Sequence, residues 1–284
     1  MKKILVTGGN GQLGSELRVL SITYPQFDWV FTDYQELDLC DLEHLSIHLS
    51  KIQPQYIINC AAHTAVDKAE SEGELSDLLN HQAVGVLAKW SAANDCKFIH
   101  ISTDYVFDGT AATPLSETAA TGPINVYGQT KLAGELACRA ACPESIIIRT
   151  SWVYSSFGAN FVKTMSRLMQ ERDSLSVVND QIGSPTYAAD LARAIMTIIM
   201  HPQWQAGIYH FSNEGEISWY ELALAIQEIG GFDCKVSGIP TSAYPTPAKR
   251  PQYSLLDKIK IKATFGVIVP DYKESLERCM RLLQ

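Results

Sequence analysis

No stretch of about 18 consecutive apolar residues occurs in this 284-residue chain, so no segment reads as a membrane-spanning helix. Blocks of lysine or arginine are missing too. The balance of 23 basic against 31 acidic side chains leaves a net charge of −8, which argues against nucleic acid and anionic membranes as partners. The seven cysteines are odd in number and scattered mainly through apolar segments, which argues against a disulfide framework. Cys138 and Cys142 lie one helical turn apart, as do His44 and His48, but neither pair has a third ligand nearby, so no metal site is expected. No secretory leader pattern precedes the first apolar run, and there is neither an internal repeat nor a low-complexity tail. The expectation is a cytoplasmic protein with a sizeable core.

What the chain does carry begins at residue 3. The apolar, β-branched run KILVT is followed at once by GGNGQLG. Gly8, Gly11 and Gly14 fit G-x-x-G-x-x-G, and Gly9, Gly11 and Gly14 fit G-x-G-x-x-G. After a strand, such glycines permit a tight turn, let backbone approach a pyrophosphate and allow close helix–strand packing. The helix that follows would aim its amino-terminal amides at the phosphates. The next strand-like run, Trp29 to Thr32, ends at Asp33, where an acidic residue would meet the adenosine ribose. No lysine or arginine lies between Arg18 and Lys51, so nothing local would neutralise a 2′-phosphate. NADH is therefore expected to be favoured over NADPH. Asp38 and Leu39 read either as a lip for the adenine or as the approach to a helix N-cap.

Strand-like runs at 3–7, 28–32, 56–60, 97–102, 145–150 and 175–178 alternate with helical patterns at about 12–22, 41–52, 74–93, 126–141 and 158–172. Strands separated by helices imply an α/β fold, a Rossmann-type doubly wound parallel sheet with right-handed crossovers. After residue 178 the rhythm changes: a helix at 187–200, a strand at 207–211, a helix at 218–229, the proline-rich PTSAYPTPAKRP at 240–251 and a terminal helix from about 271. The expected division is a dinucleotide-binding domain at 1–178 and a smaller C-terminal substrate-binding lobe at 179–284, partly interleaved with the first. A ligand cleft belongs outside the carboxyl ends of the strands, between the lobes.

Tyr127 and Lys131 stand four apart in VYGQTKLAGE, which on a helix puts a phenol and an ammonium on one face. Ser102 and Thr103 end the apolar strand of HISTDYVF, so a hydroxyl at the strand end can complete an acid/base device. A free tyrosine titrates near pH 10, and a fixed cation beside it favours the phenolate. Taken alone, the Tyr–Lys pair also reads as two neighbours on a solvated helix face. Ala62, His63 and Thr64 follow the third strand at its carboxyl end and would border the cofactor. His63 reads as a wall or core histidine before it reads as a catalytic one. Asn80 has either a polar role or a helix-surface role.

The glycines at 8–14, Asp33, Thr103, Tyr127 and Lys131 together resemble the extended branch of the short-chain dehydrogenase/reductase superfamily, whose members act mostly on nucleotide sugars. The segments NCAAHTAVDKAES, ISTDYVFDG, PINVYGQTKLAGE, IIRTSWVY, NFVKTM, NDQIGSPT and PTSAYPTPAKRP span nearly the whole chain. Within that branch they resemble the dTDP-4-dehydrorhamnose reductases. The resemblance implies NAD(P)H-dependent reduction of the 4-keto group of a small-molecule nucleotide sugar, dTDP-4-dehydro-β-L-rhamnose, to give dTDP-L-rhamnose. It carries the catalytic roles onto Thr103, Tyr127 and Lys131. Cofactor contacts fall on Gly11, Gln12, Leu13, Asp33, Asp38, Leu39, Ala62, His63 and Thr64, with Tyr127 and Lys131 reaching the cofactor too. Substrate contacts fall on Thr103, Asp104 and Trp152, where Trp152 also reads as a core tryptophan. Lys249 and Arg250 are candidates to neutralise the substrate diphosphate, or else solvated surface charges.

Some members of the family dimerise through a magnesium site built from glutamates. Glu16 fits the first such position, but the second falls at Ala189, so a monomer or a metal-independent homodimer is expected. Rival readings remain. A sugar 4,6-dehydratase would place an acid where Tyr105 stands. A 4-epimerase, or another 4-ketoreductase, would keep the same triad. A non-enzymatic dinucleotide-binding regulatory subunit would be expected to lose the tyrosine or the lysine.

Overall fold

Six strands lie parallel in one sheet, in the order Gly207–His210, Ile146–Thr150, Lys97–Thr103, Tyr56–Asn59, Lys2–Thr7 and Phe27–Thr32. The computed structural model that shows this describes residues 1–283. The strands are apolar on both faces because both faces are covered, as a parallel sheet requires. Ile146 and Ile148 point into one core and Ile147 into the other, and Ile4, Val6 and Leu5 divide in the same way. One core packs the helices Gln12–Ser21, Ala188–Met200 and Ile259–Phe265. The other packs Leu42–Ile52, Ala83–Ala93 and Val126–Ala141. The chain reverses direction across the sheet between Lys2–Thr7 and Tyr56–Asn59, and in open parallel sheets ligands bind beyond the carboxyl ends of the strands at such a point.

Two strands differ from the sequence reading, and they trade places. Ser174–Val178, expected with the sheet, pairs instead in parallel with Lys235–Ile239. Its side chains alternate between exposed and buried, the pattern of a ribbon with one wet face and not of a central parallel strand. Gly207–His210, expected with the smaller lobe, is the sheet's sixth strand, and Tyr209 and Phe211 add to the sheet's core. The smaller lobe has a core of its own, including Tyr154, Leu175, Val177, Leu222, Ile226 and Leu276. The two lobes thus exchange segments on both sides of residue 178.

Local signals set several helix starts. Asn125 accepts from Gly128 N at 2.7 Å, Asn160 accepts from Lys163 N at 3.0 Å, and Ser218 forms a reciprocal capping box with Glu221. The pattern expected as one helix over 74–93 contains a wide π turn, Leu78–Gln82, between the α-helical segments Gly73–Asp77 and Ala83–Ala93. That turn meets the Val126–Ala141 helix at Gly134, where a Cβ would sit 2.0 Å from the Asn80 carbonyl oxygen. The proline-rich segment straps the site from outside. Its far end pairs Tyr253 with Thr110 and Leu256 with Leu115, and Leu256 closes a small cluster with Val106 and Phe107.

A methyl group at position 134 has no room without displacing backbone. Gly134→Ala is therefore expected to destabilise the fold by about 1–3 kcal/mol, a Tm loss of several degrees in a calorimetric scan. Gly73→Ala is the control, since its Cβ would meet only Val126 at an ordinary 3.8 Å. Equal Tm values for the two variants would show that the helix contact at 134 is loose.

Candidate active site

The strand Lys2–Thr7 ends at Gly8, whose φ of 65° is left-handed and whose absent Cβ would lie 2.8 Å from Ala61 Cα. Gly11 N donates to Gly8 O at 3.0 Å, and a Cβ on Gly14 would lie 2.3 Å from the same oxygen. The turn closes only with glycine there. The helix Gln12–Ser21 then starts without a side-chain cap and without an acid in its first turn. Its first amides and positive dipole end face the crevice unpaired. A cradle of backbone with no side chains in it fits the diphosphate of a dinucleotide.

The other residues named for this end occupy varied settings. Asp33 accepts from Asn10 N at 2.9 Å through Oδ2 and from Tyr34 N at 2.8 Å through Oδ1, at the rim of the turn. Gln12 reaches across to the smaller lobe, donating to Val153 O and accepting from Asn160 at 3.0 Å. Leu13 and Leu39 are buried in the two cores flanking the sheet, so only their backbone can meet a ligand. Asp38 caps the Cys40 amide, and the true N-cap of the following helix is Asp41. Ala62 is half-buried and Thr64 exposed, either side of His63. His63 is tethered on every side: Nδ1 to Ser76 Oγ at 2.6 Å, Nε2 to Glu72 at 3.0 Å, and its backbone to both ends of the Asn80 amide. Asn80 is fully buried, which makes it a brace for the His63 loop and not a helix-surface residue.

Thr103, Tyr127 and Lys131 come together at the end of Lys97–Thr103 and are all buried. The Thr103 hydroxyl accepts from Tyr105 N at 3.2 Å and donates to Asp104 Oδ1 at 3.1 Å. Burial pushes the Tyr127 phenol up to about 12, and the nearby Thr103 hydroxyl offsets part of the rise. The expected lowering by Lys131 is not what this geometry gives. The Lys131 ammonium turns to the Ile101 carbonyl, 2.6 Å away, and lies 3.5 Å from His100 Nε2. Burial brings the ammonium down to about 8, opposed by Glu135 and Cys60.

Two polar networks hold this corner. Glu135, one turn beyond Lys131, accepts from Arg149 Nε at 2.9 Å and Nη2 at 2.7 Å, and from the Ser102 hydroxyl at 2.5 Å. Behind Lys131, Thr7 donates to Asn59 at 2.6 Å and Asn59 meets His100 Nδ1 at 3.1 Å, crossing three adjacent strands. Burial, then the nearby Lys131 charge, drives the His100 pKa well below the usual histidine value, so His100 is neutral. Sequence reasoning passed over His100 and Asn59. Their signal was a polar side chain inside or ending an otherwise apolar strand, in KFIHIST and YIIN.

Next to Thr103, Asp104 is buried and its Oδ2 has no hydrogen-bond partner. Burial raises its pKa to about 6, with Ser254 and Thr103 opposing. Trp152 is half-buried, holds a left-handed φ of 47° and stacks on Trp219 at 3.8 Å between ring centroids. Left-handed backbone is costly for a bulky residue, so tertiary contacts impose it. Trp219 comes from a distant helix and was not foreseen. Arg250 is neither free nor a solvated surface charge. Its guanidinium grips Asp67 at 3.1 and 2.8 Å and donates to Thr246 Oγ1, tying the proline-rich strap to the short helix Val66–Ala69 that follows the third strand. Lys249 is exposed. Glu16 is buried against Ser155 Oγ at 2.6 Å, and Asp190 is gripped by Arg193 and Arg278.

The RmlD substrate binding domain family matches residues 1–284. A dTDP-4-dehydrorhamnose reductase of Shigella flexneri is 42% identical over 294 aligned residues, covering 99% of this chain and 97% of that protein. The crystal structure of a dTDP-4-dehydrorhamnose reductase from Clostridium acetobutylicum superposes with a TM-score of 0.95 at 40% identity, over 99% of each chain. That of the Bacillus anthracis dTDP-4-dehydrorhamnose reductase in complex with NADP gives 0.94 at 38%, again over 99% of each.

The Asp104 carboxyl yields a stability test. Its folded pKa of about 6 lies above the unfolded value of 3.8, so between those values the unfolded state loses the proton first and stability falls as pH rises. Above about pH 6 the deficit is complete, at about 3 kcal/mol for a shift of about two units. Asp104→Asn removes the titration. Its Tm relative to wild type should rise from pH 4.5 to pH 7.5 in parallel thermal scans, and a flat or falling difference would contradict the assignment.

Proposed function

The chain belongs to the RmlD substrate binding domain family, and from that membership we propose that it reduces the 4-keto group of dTDP-4-dehydro-β-L-rhamnose to dTDP-L-rhamnose, the last step of dTDP-rhamnose synthesis. It is an NAD(P)H-dependent oxidoreductase. The observation that carries the reading is the meeting of the Thr103 and Tyr127 hydroxyls, with Lys131 one turn along the same helix, beside a side-chain-free dinucleotide cradle. No described helix is long and apolar enough to cross a membrane. The proposal extends to a cytoplasmic enzyme acting as a monomer or homodimer.

The nicotinamide supplies a hydride to the carbonyl carbon, and the protein's task is to manage the charge that appears on the ketone oxygen. Thr103 hydrogen-bonds that oxygen, and Tyr127 gives it a proton as general acid. A phenol raised to about 12 keeps its proton at neutral pH, which suits a donor to an alkoxide, a stronger base. Lys131 moves from the Ile101 carbonyl to the nicotinamide ribose hydroxyls, and there its charge steadies the phenolate left behind. Gly8, Gly11, Gln12, Leu13 and Gly14 receive the diphosphate, and Asp33 the adenosine ribose. Asp38, Leu39, Ala62, His63 and Thr64 border the bound cofactor.

Asp104 Oδ2, buried and without a donor, accepts from a sugar hydroxyl. Trp152, backed by Trp219, gives the deoxysugar a flat wall. Arg250 reaches the diphosphate only by exchanging Asp67 for it, so substrate binding competes with the strap contact.

The direct test is NADH and NADPH consumption with dTDP-4-dehydrorhamnose, set against UDP-galactose and against no substrate. Consumption is expected with the first alone; conversion of UDP-galactose to UDP-glucose, followed by product analysis because epimerisation consumes no net NADH, would favour a 4-epimerase. Tyr127→Phe keeps the ring and should lower kcat by about 10²–10⁴-fold with cofactor binding nearly intact. Thr103→Val should lower kcat without changing cofactor affinity, whereas Lys131→Met should damage both. If Tyr127→Phe kept more than about a tenth of kcat with chemistry rate-limiting, another group would be the donor.

A further inference from the structure

The geometry points to Arg18 as the residue that lets this site accept a 2′-phosphate beside Asp33, and so to use NADPH as well as NADH. This rests on the reading above that the glycine-rich turn and Asp33 hold the adenosine end of a dinucleotide. In sequence, Arg18 lies fifteen residues before Asp33 and on a different element. The fold removes that distance. Side chains on a helix lean toward its amino end, and from the second turn of Gln12–Ser21 that direction leads back to the glycine-rich turn.

The Arg18 guanidinium carbon lies 4.3 Å from the centroid of the Phe31 ring. The place where Gly9 would carry a Cβ has as its neighbours Phe31 Cβ at 3.1 Å, Arg18 Nη2 at 3.3 Å and Thr32 O at 3.3 Å. Gly9 N in turn donates to Thr32 O at 2.8 Å, and the residue after Thr32 is Asp33. A cationic fork therefore occupies the space that a side chain at position 9 would have filled, at the same rim as the Asp33 carboxylate. The missing side chain of Gly9 is what makes room for it.

Charge and preorganisation explain why this matters. Asp33 alone repels a 2′-phosphate. Both its oxygens already accept backbone amides, which hold the carboxylate in place. Among the described residues Arg18 is exposed and its side chain has no carboxylate partner, so its five donors are not spent on an ion pair. A guanidinium grips phosphate oxygens bidentately. Stacking on Phe31 fixes the plane of the fork before ligand arrives, so less side-chain entropy is lost on binding.

The test uses the intact chain and two probes that need no turnover, 2′,5′-ADP and 5′-AMP, measured by titration calorimetry. Arg18→Ala should weaken 2′,5′-ADP about tenfold, the size of one charge-assisted hydrogen bond lost at an exposed site, and leave 5′-AMP unchanged. Arg18→Lys should retain part of the affinity, and added salt should erode the 2′,5′-ADP advantage of the unmutated chain. KM for NADPH, but not for NADH, should follow the same order. Equal losses for both probes in Arg18→Ala, or no loss for either, would overturn the assignment. So would failure of the unmutated chain to bind either probe, since the adenosine site would then be elsewhere. If both probes bind with the expected contrast but dTDP-4-dehydrorhamnose is not turned over, the substrate reading fails and the role of Arg18 stands.

Discussion

The site depends on a buried ion pair that touches no reacting atom. Tyr127, Lys131 and Glu135 recur every four residues along one face of the Val126–Ala141 helix, the face turned to the sheet. Glu135 is gripped by Arg149 and Ser102, which sit opposite each other in the register of two adjacent strands. One carboxylate therefore reads the alignment of both strands and fixes how far along them the helix lies. The next register pair, Thr103 with Thr150, is then set one step nearer the crevice, and Thr103 meets Tyr127. Such a pair adds little to net stability, because desolvation offsets most of the attraction. Its value is positional. Losing either partner alone strands a charge at about 3–5 kcal/mol, so other helix registers are strongly disfavoured.

Around that pair the protein buries more polarity than a core needs. Thr7, Asn59 and His100 form a hydrogen-bonded line beneath the site with the Lys131 ammonium beside it, and Asp104 carries an oxygen with no donor. Each shifts a titration in the direction burial dictates: the phenol and the carboxyl upward, the ammonium and the imidazole downward. A group held away from its ordinary protonation equilibrium responds to small changes in neighbouring charge, and such changes accompany ligand entry. The left-handed backbone at Trp152 is a comparable expense, sustained by its stacking on Trp219.

The smaller lobe contributes by contact and not by carrying the triad. Gln12, next to the last turn glycines, is hydrogen-bonded to Val153 and Asn160, so the cradle and the smaller lobe are linked through one amide. The proline-rich strap is held by Arg250 to Asp67 and by Asn125 to the Lys249 carbonyl. Asn125 is also the cap of the helix that carries Tyr127. A movement of the strap therefore has a short route to the helix start, through one asparagine side chain.

Some of this was present in the sequence because it is local. The strand–glycine turn–helix unit, the Asn125, Asn160 and Ser218 caps and the Tyr–Lys spacing follow from hydrogen bonding and steric rules within a few residues. The parallel sheet follows from the alternation of apolar runs with helical periods, and the motif resemblance reached the family for the same reason. What a one-dimensional pattern could not supply is pairing across distance. Ser174–Val178 and Gly207–His210 are both short apolar strands, and only the packing of the lobes decides which joins the sheet. Arg18 read as remote from Asp33 until the helix direction and the Phe31 ring brought it to the turn. Arg250 read as a diphosphate ligand or a solvated surface charge until Asp67, far off in the chain, was folded against it. Lys131 read as a partner for Tyr127, yet in this structure its charge turns to a strand carbonyl and a buried histidine. Short-range sterics and periodicity wrote the elements and the Tyr–Lys spacing into the sequence. Electrostatics falls off with distance in space and not along the chain, so the charges around those side chains were decided only by the tertiary fold.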